Sequence, residues 1–238
     1  MSALVVLALV GGLRPQERVD LRLNPPLDAV MEFAVDLDAD LLDGTPLMSI
    51  RVVSAQRVRR EGANFRFTRY IASAFANGLT SNPKLAALAK EVSGMAGKSY
   101  PLLVGPDGVR LSLKRGKYDN ADDGVPNLVI PLLGSWSTGE TRPLSGFSLG
   151  PNGKVTLREV RSFASQRAAV FGFLSDRGEA EGKGALALSM TDGLPLLFEI
   201  TAETGPIGGL PAARLHLFLR RQNVPGLDRL AAELGLNP

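Results

Sequence analysis

The stretch Leu102–Leu111, with the sequence LLVGPDGVRL, decides the fold class. Two short apolar segments flank the Gly-Pro-Asp-Gly sequence at positions 105–108. Proline presets φ at the first turn position, aspartate tolerates the next position, and glycine supplies the positive φ at which the chain turns back. The stretch therefore predicts a β-hairpin.

The same design occurs twice more, in Phe147–Leu157 around Gly-Pro-Asn-Gly and in Leu188–Leu196 around Asp-Gly. Apolar residues at every second position over 29–37 predict a long strand in the first half. We therefore predict a mainly β (α+β) fold: a curled antiparallel sheet or half-barrel built of hairpins, with one or two helices packed on it. In the second half, strands are predicted near 127–133, 144–149, 154–163, 168–174, 184–190, 195–203 and 212–221.

The alternating pattern is interrupted by a predicted helical insertion near 71–97. Its main helix opens at Asn82-Pro83, because asparagine is a good N-cap and proline suits the first helical position. A shorter helix over 71–79 is suggested by Ile71 and Phe75, which are four residues apart. A third, short helix is predicted at the C-terminal end, over 225–235.

We expect a single β-rich domain over 15–238, preceded by a signal-like apolar segment over 1–14. Residues 3–10 are continuously apolar and are followed by Gly11 and Gly12, as in the apolar core and small-residue end of a signal peptide. The basic residues that usually precede such a core are missing, and the alternative is a buried first strand. The signal-peptide interpretation predicts an extracytoplasmic protein, in the periplasm or cell envelope.

The composition excludes several kinds of chemistry. The chain has 238 residues and no cysteine, so disulfides, thiolate metal sites and cysteine nucleophiles are excluded. Its net charge of +3 comes without a basic-aromatic motif, so we do not expect it to bind nucleic acid.

No catalytic residue, metal site or cofactor is predicted. His216 is the only histidine, and the Gly-x-Ser-x-Gly motif of hydrolases is absent. Asp36, Asp38 and Asp40 alternate as clustered calcium ligands could, but position 41 is leucine where a calcium loop needs glycine. We expect these acids and His216 to lie on the solvent-facing side of their strands.

Five arginines are concentrated on two neighbouring predicted strands. They could bind a phosphate or an anionic lipid head group, which would give a peripheral membrane association. The alternative is a solvated face whose partners are Glu61 and other acids. The arginines are Arg57, Arg59, Arg60, Arg66 and Arg69.

The candidate binding site is apolar. Alternate positions on consecutive predicted strands would line one concave face of the sheet, and such a face must be covered by a helix, another sheet or a ligand. The helix at 83–96 is one candidate cover. If the face is not simply filled core, the ligand-binding residues are Phe171, Phe173, Met190, Phe198 and Leu217.

Three further segments carry a resemblance: Pro131–Trp136 (PLLGSW), Gly182–Leu188 (GKGALAL) and Asp192–Pro195 (DGLP). Together they resemble a family of exported bacterial β-rich proteins of unknown function, over residues 17–221. The chain lacks the lipobox cysteine, and the family has no catalytic residues to transfer. Trp136, the only tryptophan, is expected to be structural, packed over the end of the sheet.

The predicted layout is also similar to half-barrel lipoprotein carriers of the periplasm, which hold acyl chains on a concave sheet. This similarity implies a non-enzymatic cell-envelope protein that binds an apolar ligand or a lipidated partner. The alternative is a structural or protein-interaction module with a filled core and no ligand. A carboxylate-based hydrolase is disfavoured, because the sequence places no pair of acids across a cleft.

Overall fold

The structure is a computed structural model that describes residues 17–78, 82–111, 132–144, 153–175, 180–206 and 210–236. Two predicted strands, at 127–133 and 144–149, lie for the most part outside these residues. The described residues form two helices, α1 (Pro83–Ser93) and α2 (Leu227–Glu233), and thirteen strands. The strands are β1 (Arg18–Leu21), β2 (Val30–Leu41), β3 (Pro46–Glu61), β4 (Asn64–Gly78), β5 (Ser99–Val104), β6 (Arg110–Leu111), β7 (Gly134–Ser137), β8 (Thr141–Leu144), β9 (Gly153–Phe163), β10 (Gln166–Ser175), β11 (Ala180–Ser189), β12 (Pro195–Thr204) and β13 (Ala213–Arg221).

Eleven strands form one antiparallel sheet in the order β6-β5-β4-β3-β2-β13-β12-β11-β10-β9-β8. Most neighbours in the sheet are also neighbours in sequence, as hairpins require. The exception is the pairing of β13 with β2, which joins the two halves of the chain. Within the described residues the sheet is not closed into a barrel. The fold class predicted from the sequence is confirmed: a mainly β protein with a curled sheet and helices.

The hairpin that decides the fold class forms as predicted. Gly105 N donates to Val109 O at 2.8 Å, and Val109 N donates to the side-chain Oδ1 of Asp107 at 3.1 Å. Gly108 has a φ of +79°, a conformation that L side chains rarely adopt. Local turn chemistry is therefore enough to position β5 beside β6.

Successive residues of each strand point to opposite faces, and one face carries most of the core. We call this the inner face and define it by Phe33, Val52, Phe171, Leu188 and Leu217, all buried in one continuous apolar cluster. The cluster joins side chains from both halves of the large sheet. The inner face is therefore the apolar face that the sequence predicts.

A small second sheet covers part of the inner face. It pairs β1 with β7, with Val19 opposite Trp136, and both residues belong to the inner apolar cluster. The sequence predicts a helix as the cover but not this sheet. Trp136 is 1% exposed, in agreement with the structural role expected for it.

Helix α1 begins where the sequence predicts. The side-chain oxygen of Asn82 accepts hydrogen bonds from Lys84 N at 3.0 Å and Leu85 N at 3.4 Å, which satisfies donors that a helix start leaves free. Leu85 is buried in a small cluster with Leu47, and Val92 joins the inner apolar cluster. The helix thus contributes to covering the inner face.

Helix α2 lies on the opposite, outer face. Leu227 and Leu230 are buried against Leu196, Ala187 and Phe218, which point outward from β11, β12 and β13. The short C-terminal helix predicted from the sequence is confirmed, and it packs on the face of the sheet opposite to α1.

The short helix predicted over 71–79 is wrong, because residues up to Gly78 belong to β4. Ser54 pairs with Ile71 while Val53 pairs with Ser73, so Ala72 is an extra residue in β4 and forms a β-bulge. Because of the bulge, Ile71 points inward and is buried, whereas Phe75 points outward and is 60% exposed, so their four-residue spacing does not mark a common face.

Candidate functional site

The five residues proposed as ligand contacts lie together. Phe171, Phe173, Phe198 and Leu217 belong to the inner apolar cluster and are each at most 3% exposed. Met190 follows β11 and is a partly buried neighbour of the same cluster. The large sheet therefore brings these side chains into one place, where four of them form buried core.

Part of this region is filled by the chain itself. The ring of Trp136 meets that of Phe171 edge to face, with centroids 5.0 Å apart and planes at 74°. Its indole Nε1 donates to Leu132 O at 2.9 Å, and the Arg142 guanidinium lies 3.9 Å from its ring centroid. Over β10, the inner face is thus covered by Trp136 rather than left open.

Another part of the inner face stays partly exposed. We call it the inner patch and define it by Leu37, Ile50, Ala74, Ala76 and Leu88, which border the apolar cluster without being buried in it. Leu37 pairs with Ile50, and Ile50 pairs with Ala76, so these three form a row across β2, β3 and β4. Leu88 adds a side chain from α1. The inner patch is therefore an apolar surface that the described side chains cover incompletely.

Sequence analysis did not identify the inner patch. Ala74 and Ala76 have short side chains, and the spacing of such residues along a strand does not by itself indicate a binding face. The bulge at Ala72 also shifts the inward positions of β4 by one residue, so the alternation before the bulge does not predict which residues face inward after it. A search for inward-facing small residues would have found them only once the bulge had been recognised.

The inner face also carries polar residues on β3. Ser54 is 2% exposed and Gln56 is 1% exposed, and both are in phase with the inward-facing Val52 and Val58. Gln56 pairs with Met31 on β2 and with Arg69 on β4. Among the described residues, none accepts a hydrogen bond from Gln56 Nε2. The signal in the sequence is a glutamine at an inward position of an otherwise apolar alternation.

A cleft of about 830 Å³ lies at one end of the large sheet. Its lining includes Leu27, Val30, Glu32, Asp192 and Arg221. The side chains of Asp192 and Arg221 are 9% and 15% exposed and form an ion pair of 2.6 Å. Asp192 Oδ1 also accepts a hydrogen bond from Leu194 N at 3.0 Å, so the ion pair links the β11–β12 turn to the end of β13.

The lone histidine lies on the outer face, as the sequence predicts. His216 Nε2 is 2.7 Å from Glu199 Oε1, and the Glu199 side chain is 16% exposed. On the other side His216 pairs with Asp38 across the β13–β2 ladder. This arrangement holds the imidazole between carboxylates on the face of the sheet opposite to the inner patch.

Two of the three alternating aspartates share one arginine. Arg51 Nε is 2.9 Å from Asp36 Oδ1, and Arg51 Nη2 is 3.0 Å from Asp38 Oδ2. Burial raises the pKa of Asp36 above its ordinary value despite the nearby guanidinium. Burial also acts to raise the pKa of Asp38, but hydrogen bonds from Arg51 and Ser49 outweigh it and hold that pKa low. Within the described ranges, no group of three or more His, Asp or Glu side chains could hold a metal ion.

The arginines of the predicted cluster do not all share one face of the sheet, and two of those on the outer face have acids as partners, as the second alternative expects. Arg57, Arg59 and Arg66 alternate on the outer face, where Arg59 pairs with Asp28 at 3.3 Å and Arg66 with Glu61 at 2.5 Å. The remaining two occupy inward positions: Arg69 pairs with Gln56 in the ladder, and the Arg60 guanidinium lies 5.5 Å from the ring centroid of Phe65. Strand alternation divides a cluster that looks continuous in sequence.

Comparison with family models and with curated proteins adds no relative from which a function could be transferred. No family model matches the chain, and no curated protein matches it. No helix among the described residues is long and apolar enough to cross a membrane. The site must therefore be interpreted from its own geometry.

Proposed function

We propose that this protein binds an apolar ligand, an acyl chain or the lipid part of a lipidated partner, on the inner face of its large sheet. The binding surface is the inner patch. The protein acts as a non-enzymatic binding protein of the cell envelope. The competing function is a structural or protein-interaction module whose inner face is only core.

One observation carries the proposal: the inner patch is apolar, faces inward and remains partly exposed. In a filled core, inward-facing leucine and isoleucine side chains are buried, as Phe171 and Leu217 are. Leu37 and Ile50 are only partly buried although they lie in the same sheet. Covering such a surface with an apolar ligand is favourable by about 25 cal/mol per Å².

The ligand class follows from the lining of the inner patch. Its five side chains are aliphatic and carry no charge, so they offer no specific contact to a sugar, a nucleotide or a charged peptide. An acyl chain is matched by such a surface, since it needs contact area and no hydrogen bonds. The two alanines leave space beside the larger Leu37 and Ile50.

The competing function also has support. The contact of Trp136 with Phe171 shows that the chain fills part of the inner face with its own aromatic residues. If the inner patch is covered in the same way in solution, no ligand is needed. The two functions therefore differ in whether the inner patch is accessible.

Placement in the cell envelope is a separate part of the proposal. It rests on the apolar run over residues 3–10, which lies outside the described residues. It is supported by the kind of ligand proposed, because acyl chains must be shielded from water when they cross an aqueous compartment. Determining the N-terminus of the mature protein tests this placement.

A matched pair of variants on adjacent residues tests the binding site. Ala76 belongs to the inner patch, whereas Asn77 is exposed on the outer face of the same strand. Titration with an environment-sensitive apolar dye should show binding by the wild type and by Asn77→Leu. Ala76→Leu fills the patch and should weaken binding by about tenfold, which corresponds to about 1.4 kcal/mol. Equal dye affinity in all three proteins, or none in the wild type, would contradict the proposed site; denaturant melts check that each variant is folded.

A further inference from the structure

The cleft of about 830 Å³ at one end of the large sheet has no role in the proposed function. Its walls come from four segments of the described chain, within 24–32, 165–166, 189–192 and 221–224, and none of the inner-patch residues lines it. Its volume lies within the range of about 300–1,000 Å³ that is typical of ligand sites. The cleft is therefore a second candidate site, separate from the inner patch.

The backbone around the cleft has uncommon conformations. Three residues other than glycine have a positive φ in the described chain: Asp28 (+58°), Ala164 (+47°) and Asn223 (+58°). Asn223 lines the cleft, Asp28 follows the lining residue Leu27, and Ala164 precedes the lining residue Ser165. Aspartate and asparagine tolerate such a φ, but alanine seldom adopts it, and residues held in this way cluster at binding sites. The surrounding fold thus fixes the shape of the walls.

One wall of the cleft is apolar and accessible. Leu27 and Val30 line it beside Pro25 and Pro26, and these two large aliphatic residues are 48% and 56% exposed. No aromatic residue belongs to the lining, whose members all lie in the described part of the chain. The wall can therefore contact an aliphatic side chain, but it lacks the flat ring on which a nucleobase stacks.

The polar part of the cleft offers amides and no available positive charge. The Arg221 guanidinium is bound to Asp192 at 2.6 Å, so it is not available to an anionic ligand. The side-chain amides of Gln166 and Gln222 line the cleft and make no hydrogen bond within the part of the chain that the structure describes. Each amide has donors and an acceptor, and a peptide group has one of each, so the two can pair.

Glu32 places a negative charge at the rim of the cleft. It is exposed, and its Oε2 accepts a hydrogen bond from Asn223 Nδ2 at 3.0 Å, which is a neutral partner. No cationic side chain among the described residues forms an ion pair with it. A cationic group of a ligand would therefore be attracted to this carboxylate, and an anionic group would be repelled.

We propose that the cleft binds an extended peptide segment of a partner protein, with an aliphatic side chain against Leu27 and Val30 and a lysine or arginine beside Glu32. Gln166 and Gln222 pair with the peptide groups of that segment. The site is independent of the apolar ligand on the inner patch, so its failure would leave the proposed function standing.

The test uses two capped tripeptides as probes, acetyl-Leu-Lys-Leu-amide and acetyl-Leu-Glu-Leu-amide, titrated at low salt into the isotope-labelled full chain and followed by NMR. The lysine peptide should shift the side-chain amide resonances of Gln166 and Gln222 and bind about fivefold more tightly than the glutamate peptide. Glu32→Gln keeps an acceptor for Asn223 but removes the charge, and should bind both peptides equally. Glu203→Gln removes an exposed carboxylate that does not line the cleft, and as the control it should keep the wild-type preference.

A second pair of variants tests the apolar wall. Leu27→Ser should weaken the binding of both peptides by about fivefold, because contact area is lost. Leu42→Ser is the control, since Leu42 is 53% exposed and does not line the cleft, and it should bind both peptides as the wild type does. Unshifted amides of Gln166 and Gln222 in the presence of the lysine peptide would overturn the inference. Equal affinity of the wild type for the two peptides, or a charge preference retained by Glu32→Gln, would also overturn it.

Discussion

Trp136 and Phe171 meet edge to face, with ring centroids 5.0 Å apart, although they belong to different sheets. Trp136 lies on β7 of the small sheet and Phe171 on β10 of the large one. Both side chains are at most 1% exposed. Through this contact the small sheet packs on the inner face of the large one.

The contact predicts a large loss of stability on truncation of the tryptophan. Trp136→Ala removes a buried ring and the hydrogen bond from its Nε1 to Leu132 O, and should cost about 3–5 kcal/mol in the free energy of unfolding. Trp136→Phe retains an aromatic ring and should cost clearly less. Urea denaturation measures both. An unchanged midpoint for Trp136→Ala would show that the ring is not packed as the structure has it.

The small sheet also shows what the sequence could not predict. Hairpins such as Leu102–Leu111 follow from local turn chemistry, and the N-cap at Asn82 follows from residue type. By contrast, β1 and β7 pair across more than a hundred residues, and alternation within either segment says nothing about its partner. The inner patch was missed for a related reason, since the bulge at Ala72 shifts the phase of β4.

The apolar side chains of the inner face were predictable as a set. Phe171, Phe198 and Leu217 alternate on separate strands, and strands in succession usually pair. Whether each one is buried or accessible depends on what covers it, and a cover that comes from elsewhere in the chain leaves no local pattern. Gln56 differs from these residues in leaving a local pattern: it is a polar residue in phase with the apolar Val52 and Val58, which is visible in the sequence itself.

The buried ion pair between Asp192 and Arg221 predicts a second effect on stability. Asp192→Ala leaves the Arg221 guanidinium, 15% exposed, without its counter-ion and should cost about 3–5 kcal/mol. The control is the exposed pair of Glu203 and Arg214, whose side chains are 56% and 51% exposed. Glu203→Ala should change stability by at most about 1 kcal/mol. If thermal or urea melts give similar losses for both variants, Asp192 does not fasten its turn.

The shared arginine predicts that two neighbouring aspartates titrate in opposite directions. Carboxyl NMR titration should give a pKa above the ordinary value for Asp36, which is raised by burial, and below it for Asp38, which is lowered by hydrogen bonds from Arg51 and Ser49. The stability that Asp38 contributes is present above its ordinary pKa and is lost as pH falls through its lowered pKa. The contribution of Asp36 to stability depends on pH in the opposite way: it becomes unfavourable as pH rises through the raised pKa of this residue.

Arg51→Gln removes the cause of the low value and tests this assignment. The pKa of Asp38 should rise in the variant. The variant should be less stable than the wild type at neutral pH, but equally stable in strong acid, because Asp38 is then protonated in both proteins. An unchanged titration of Asp38 in Arg51→Gln would mean that another group holds its charge.

Export predicts a shorter mature chain. If residues 3–10 are the apolar core of a signal peptide and cleavage follows the small residues Gly11 and Gly12, the mature protein should lack roughly the first 12 residues. Intact mass of the protein from its native host measures this directly. Recovery of the full-length chain from the cytoplasm would contradict placement in the cell envelope.

The central claim is that the inner face carries an acyl ligand, and native mass spectrometry of protein purified from its own cells tests it most directly. The account predicts a population heavier than the polypeptide by the mass of one acyl-chain molecule, which disappears on denaturation. Ala76→Leu should lose that population while Asn77→Leu keeps it. The mass of the bare polypeptide alone, from gently handled wild-type protein that also fails to bind apolar dye, would contradict the claim and favour a filled core.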